Sequence, residues 1–201
     1  MAYIPRLTAP DPNDPRQLQI NYGGYNQCIV GSDGPPSVLP NCTGYVHFRL
    51  MELRNVNTDD CGLSFGNAVT YWTTSSSNWI QDQNPSLGAV VCYRSLNVTG
   101  QPGHVAIVEQ IIDNDTIVVS ESDYGDPANG IPGTRFRTLT CYRANGWRFP
   151  GATDVYAQGF LRNPYVQPGG RMKPAVMMLL LSKMKERRKA NARIQRNSGI
   201  L

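Results

Sequence analysis

The stretch from Gly103 to Ser122 most constrains what this chain can fold into. Two β-prone runs, His104 to Ile112 and Thr116 to Ser122, flank the turn residues Asp113-Asn114-Asp115. Apolar and β-branched runs joined by so short a polar link read as an antiparallel hairpin. Two further segments can extend the sheet. Ala89-Val90-Val91-Cys92-Tyr93, entered through Pro85-Ser86-Leu87-Gly88, reads as a buried strand. Val155 to Arg162 reads as a last strand before Asn163-Pro164. Residues 123–150 read as loop-rich. Ahead of the strands the pattern is helical. Cys42, Tyr45, Val46, Leu50 and Leu53 recur at i, i+3, i+4 spacing and predict an amphipathic helix running to about Asn55, with Asn41 as its N-cap. After a polar turn at residues 57–60, Asn67 is expected to cap a second segment with Ala68, Val69 and Trp72 facing inward. Residues 1–40, rich in Pro, Asn, Asp and Gly, read as a loop-dominated lead-in with a short extended piece at Gln17 to Tyr22. Helices first and antiparallel strands afterwards predict an α+β domain, helices packed on an antiparallel sheet.

At 201 residues and 40% apolar content the chain has room for one domain plus an appendage. Charge marks the appendage. Residues 171–201 hold nine of the 19 Lys and Arg and one of the 15 acids, a net +8 against −4 for residues 1–170. Residues 174–193 form one helical pattern, apolar from Ala175 to Leu181 and basic after it. Seven apolar residues fall far short of the ~20 a membrane span needs. The N-terminal residues lack the basic start and apolar run of a secretory signal. Five cysteines, odd in number and irregularly spaced, then read as reduced thiols, and the Asn-x-Thr triplets at Asn41, Asn97 and Asn114 carry no meaning. With no Cys-x-x-Cys pair and only two histidines, the spacing argues against zinc.

Cys42 opens the first helix. Unpaired N–H donors and the positive end of the macrodipole at a helix start stabilise a thiolate, which makes the sulfur a usable nucleophile. The competing reading is a small buried hydrophobe. His104 opens one strand of the hairpin and Glu121 lies near the end of the next. Across a turn centred near Asn114, paired residue numbers sum to about 226–228, so Glu121 falls opposite Val105 to Ile107, close to His104. A carboxylate beside an imidazole holds its tautomer and raises its basicity, the orienting role in a Cys–His–acid triad. Taken singly, His104 reads better as a strand-edge histidine bonded to backbone and Glu121 as a solvated charge. His47 lies about 140° round the helix from Cys42 and cannot converge on it. Cys28 is followed by Ile-Val-Gly-Ser-Asp-Gly-Pro-Pro and has no helix to activate it. Gly62-Leu63-Ser64-Phe65-Gly66 matches the Gly-x-Ser-x-Gly of serine hydrolases, but that elbow must follow a strand. A loop leading to the second helix accounts for it better.

These residues carry a resemblance. Tyr-Gly-Gly-Tyr-Asn with Leu-Pro-Asn-Cys-Thr-Gly-Tyr, Asn-Pro-Ser-Leu-Gly-Ala-Val-Val-Cys-Tyr, Gly-His-Val-Ala-Ile-Val-Glu, and Ser-Glu-Ser-Asp-Tyr-Gly followed by Gln-Gly-Phe-Leu-Arg-Asn-Pro occur in order from about Tyr22 to Pro164. In sequence and spacing they resemble the CHAP domains (cysteine, histidine-dependent amidohydrolases/peptidases) of bacteriophage and bacterial cell-wall hydrolases. The resemblance implies a papain-like α+β fold over residues 22–165, between a lead-in at 1–21 and a basic helical tail at 166–201. It implies Cys42 as nucleophile, His104 as general base and acid, and Glu121 as the group orienting His104. Family members often carry an asparagine two residues after the acid; here Asp123 stands there, as a candidate fourth position. No cofactor is required. Calcium binding, known in some members, has Asp11, Asp14 and Asp33 as candidates, which match no loop motif.

The expected activity is cleavage of an amide in peptidoglycan, as an N-acetylmuramoyl-L-alanine amidase or an endopeptidase, phage-encoded. The alternatives are a virion structural component that keeps the fold with little activity, and a cysteine amidase on a small amide outside the wall. The expected partner is peptidoglycan, with no nucleic acid and no membrane span. The tail at 171–201 is read as a solvated helix docking its Met/Leu face, as a segment attracted to an anionic wall or membrane surface, or as one packing among phage tail proteins. The expected location is the host cytoplasm with release to the wall, or the virion.

Overall fold

The computed structural model describes residues 3–11, 14–16, 41–96, 100–123, 135–152 and 154–166. Cys28, Asp33, the piece at 17–22 and the basic segment 171–201 lie outside them. Pro5–Pro168 forms one compact unit, and the second unit, Met1–Ile4 with Gly169–Leu201, contributes only residues 3 and 4 to the described set.

In chain order the elements are helix α1 (Cys42–Arg54), a 3-10 turn (Ala68–Thr70) running into the short helix α2 (Tyr71–Thr74), and strands β1 (Ile80–Asp82), β2 (Val90–Ser95), β3 (His104–Asp113), β4 (Thr116–Asp123), β5 (Arg135–Tyr142) and β6 (Val155–Arg162). The strands make a six-stranded sheet in the order β1-β6-β2-β3-β4-β5, every pair antiparallel. The expected α+β class is what the chain adopts, and the 104–122 hairpin sits inside the sheet, closed by a tight turn with Asp113 opposite Thr116.

Helix α1 begins where the sequence places it. The Asn41 side chain accepts from the Gly44 N–H at 2.9 Å and from the Thr43 hydroxyl at 2.8 Å. It ends in a Schellman motif. Asn55 takes the left-handed conformation (φ 54°, ψ 48°), its N–H reaches Glu52 O, and Val56 N–H reaches Met51 O. The amphipathic expectation does not hold, because every residue from Cys42 to Met51 is buried, including the polar His47 and Arg49. One side of α1 meets the sheet while the loop at residues 59–65 and Arg6 cover the rest. Three other expectations are corrected. Asn67 makes no side-chain cap, and in the second helical segment Ala68 is buried as expected but Tyr71 takes the inward place given to Val69. Residues 135–142, read as loop, form β5, whose Phe, Thr, Leu and Cys residues earn full pairing only beside β4. Strand β1, three residues long, exists through pairing with β6.

Period-2 alternation divides the core between the sheet's two faces. Val90, Cys92, Val105 and Ile107 face Cys42, Val46, Leu50 and Tyr71, whereas Val91, Tyr93, Ala106 and Val108 face Val119, Phe160 and Trp147. Both faces are covered, which explains the near-continuous apolar runs of β2 and β3. Each such Val, Ile or Leu contributes about 1.5–3 kcal/mol through burial. The second face is closed by the chain after β5. There Gly146 and Trp147 both take positive φ (61° and 59°), Tyr93 donates to Trp147 O at 3.1 Å, and the indole packs edge-on against Phe160.

A charged pair lies inside. Glu109 sits where the β3–β4 register shifts by a bulge and is fully buried. Arg49 from α1 donates to both its oxygens at 2.9 Å, Ser120 donates at 2.7 Å, and Arg6 N–H at 2.8 Å. The Tyr45 hydroxyl donates to Ser120 at 2.8 Å. With its oxygens filled by donors, Glu109 locks the register of α1 on β3 and β4. Among the described residues no helix is long and apolar enough to cross a membrane.

Candidate active site

Cys42 is the first residue of α1 and 9% exposed. Its N–H and that of Thr43 belong to the helix's first turn and have no intrahelical acceptor. Opposite it stands His104, the first residue of β3. Gly103 delivers the chain there with φ +72°, and a Cβ on it would lie 2.7 Å from Val69 N and 2.9 Å from Tyr93 O. Only glycine fits this approach. Val69 N–H also donates to Pro102 O at 2.7 Å, so the 3-10 turn holds the loop ahead of His104.

The β3–β4 register pairs Ile107 with Ser120. Continued by one residue it sets Glu121 opposite Ala106, so Glu121 and His104 share a face as diagonal neighbours. Glu121 Oε2 meets His104 Nε2, which leaves Nδ1 as the ring nitrogen available to Cys42, whose charge acts on the imidazole. The ring is walled by Phe149 edge-on at 5.1 Å and by Tyr93 at 6.2 Å. Its side chain keeps 16% exposure, while Glu121 has none. The structure thus brings Cys42, His104 and Glu121 into one cluster, with His104 hydrogen-bonded to Glu121.

Burial by itself would lower the proton affinity of His104. The charge of Cys42 and the contact with Glu121 overcome it and push the imidazole up to about 10. Burial likewise raises the Glu121 carboxyl, but the hydrogen bond and charge of His104, with Arg137 after them, hold it below the usual carboxylate range. The electrostatics favour an imidazolium held by the Glu121 carboxylate.

Arg137 is the residue that sequence reasoning missed. It lies directly across from Glu121 on β5, donates Nε–H to Glu121 Oε1 at 2.6 Å and adds a second contact to the same oxygen through one terminal nitrogen. One Glu121 oxygen is thereby taken by Arg137 and the other is turned to His104. The alternation Phe136-Arg137-Thr138-Leu139-Thr140-Cys141 was the available signal for a strand. Nothing in it indicates which acid Arg137 meets.

The other named residues are placed as follows. The backbone of Asp123 ends β4 opposite Arg135, and its side chain lies outside those described. His47 points away from Cys42, between Asp59 and the Ser64 carbonyl. Ser64 is no nucleophile elbow, because it sits in a loop, bonded to the Thr70 hydroxyl and the Gly66 N–H. Of the acids named for calcium, Asp14 is held by Arg16 at 2.8 Å.

Residues 32–123 match the family model of the CHAP domain. No curated protein matches the chain significantly. Among solved structures, a crystal structure of an N-acetylmuramoyl-L-alanine amidase from Staphylococcus aureus aligns with 69% of this chain and 36% of its own, at 19% identity and a TM-score of 0.31. The chain thus spans about a third of that protein, and so low a TM-score carries no argument about fold or function.

Proposed function

For a chain whose residues 32–123 are a CHAP domain, we propose hydrolysis of an amide bond in peptidoglycan by cysteine nucleophilic catalysis. The carrying observation is the cluster Cys42–His104–Glu121, a thiol at a helix start beside an imidazole whose far nitrogen meets a buried carboxylate. In this reading the Cys42 sulfur attacks the amide carbonyl and His104 gives its proton to the departing amine. Water then hydrolyses the thioester with His104 as base. The N–H of Cys42 is an oxyanion donor, aimed by the helix start where negative charge develops. Glu121 holds the imidazole by Nε2 so that Nδ1 serves the sulfur, and Arg137 holds Glu121.

The bond cut is either the amide joining sugar to stem peptide or one within the stem or cross-bridge. Purified Gram-positive sacculi are expected to clear with the wild-type chain and not with Cys42→Ala. Equal clearing by both would sink the role of Cys42. Mass spectrometry of the new termini separates amidase from endopeptidase.

A further inference from the structure

We propose that His47, Asp59 and Cys61 form a binding site for one zinc ion, which staples α1 to the loop that follows it. This site is independent of the chemistry at Cys42, since His47 lies about 140° round the helix from it.

Three donor atoms of different type converge within 4.8 Å of one another. His47 Nδ1 is 2.7 Å from Asp59 Oδ1, Cys61 Sγ is 3.4 Å from His47 Nδ1, and Cys61 Sγ is 3.6 Å from Asp59 Oδ1. Tetrahedral zinc, with bonds of about 2.0–2.2 Å to N and O and about 2.3 Å to S, separates its ligand atoms by roughly 3.3–3.7 Å. Both sulfur distances already satisfy that. Only the nitrogen–oxygen gap must open, by about 0.6 Å on the same geometry, and Asp59 can yield it because its side chain is the most exposed of the pair, 11% against none for His47.

The surroundings hold these groups in place. His47 Nε2 lies 3.1 Å from the Ser64 carbonyl, which can only accept. The Nε2–H is thereby fixed and Nδ1, whose proton Asp59 accepts here, is the nitrogen turned to the cluster, the outer arrangement that metal-bound histidines show. Phe65 stacks on the imidazole at 4.9 Å. The Cys61 carbonyl accepts from Trp79 Nε1 at 2.8 Å and from the Tyr165 hydroxyl at 3.2 Å, so the thiol's loop is set by bonds the thiol does not make. A second observation points to a ligand. The Tyr71 hydroxyl is buried with no hydrogen-bond partner, its ring stands edge-on to His47 at 6.0 Å, and after that of Cys42 it feels the charges of Cys61 and Asp59. An unpaired buried hydroxyl is costly; a water in the fourth zinc position would give it a partner.

The donor set selects the metal. A thiolate disfavours calcium and magnesium, while the mixture of sulfur, imidazole and carboxylate suits zinc. As zinc binds, the Cys61 thiol and the His47 Nδ1–H that faces Asp59 each give a proton to solvent. Zinc with one thiolate, one carboxylate and one neutral imidazole then sums to zero charge, which suits a buried site. The sequence concealed the site because its ligands are spaced 12 and 2 residues apart and only the fold gathers them.

Full-length protein, stripped with chelator and titrated with Co2+ as a spectroscopic substitute for Zn2+, tests this. One equivalent is expected to produce a thiolate-to-cobalt charge-transfer band and tetrahedral d–d absorption, both displaced by Zn2+. The band should persist in Cys42→Ala and vanish in Cys61→Ala. Should Cys61→Ala fail to fold, Asp59→Asn replaces it, with unchanged near-ultraviolet circular dichroism and cobalt affinity weakened by at least the roughly tenfold that losing even an outer-sphere partner costs. No band in the wild type, a band lost with Cys42→Ala, a band surviving Cys61→Ala, or unaltered affinity in folded Asp59→Asn would each overturn the proposal.

Discussion

Glu121→Gln tests the site at its most connected atom pair. Glu121 is a double acceptor, receiving His104 on one oxygen and Arg137 on the other. An amide has one oxygen and one NH2 in the same space. With the oxygen turned to His104, the NH2 faces the Arg137 donors. With the oxygen turned to Arg137, the NH2 faces His104 Nε2 and forces the proton onto Nδ1, the nitrogen left for Cys42. Either way one charge-assisted hydrogen bond is lost, worth about 1.5–3 kcal/mol. At 1.36 kcal/mol per decade this is about 10- to 100-fold in kcat/KM, read by sacculus clearing. The alkaline limb of Cys42 alkylation by iodoacetamide should move to lower pH, because a neutral amide no longer supports the imidazolium. Glu121→Gln combined with Arg137→Met removes the donor–donor conflict, so the amide oxygen can serve His104. This pair should regain thermal stability and part of the rate relative to Glu121→Gln alone. An unchanged rate and pH profile in Glu121→Gln, or no recovery in the double variant, would refute the acceptor argument.

Gly103→Ala should destabilise by about 2 kcal/mol or more, since positive φ and backbone contacts below 3 Å leave its Cβ no room; urea unfolding measures it, and a near-neutral result would exclude the close approach. Glu109→Gln should cost about 1.5–3 kcal/mol, because it weakens the charge-assisted bonds of Arg49, which keeps Glu52 as its other partner, read as a fall in Tm with Cys42 alkylation as a local probe. The pH dependence of stability follows from the two shifts at the site. The raised His104 contributes stability that is complete below its unfolded value of 6.5 and lost as pH rises through about 10. The depressed Glu121 contributes stability that is complete above 4.5 and lost as pH falls through its lowered folded value. Both contributions are whole only between about 4.5 and 6.5. The stability gap between wild type and Glu121→Gln in urea should be greatest there, and a gap growing above pH 10 would contradict the assignment.

What the sequence determined by itself was local. Asn41 ahead of Cys42 is a capping signal that needs only hydrogen bonds within four residues, and the helix starts there. The 104–122 hairpin is legible because its turn and its β-branched runs are adjacent in the chain, and adjacency makes the register arithmetic work. That arithmetic brings His104 near Glu121, and helix geometry turns His47 away from Cys42. The tertiary structure decided whatever depends on segments far apart in sequence. Strand β5 is stabilised by pairing with β4, so its turn-rich flanks disguised it, and with it went Arg137, the partner of Glu121. Burial of α1 on all sides was invisible for the same reason. His47 and Arg49 are polar residues that lie inside because Asp59 and Glu109 meet them from other elements. Periodicity reports whether a side chain is polar, and only packing reports whether a distant partner allows it inside.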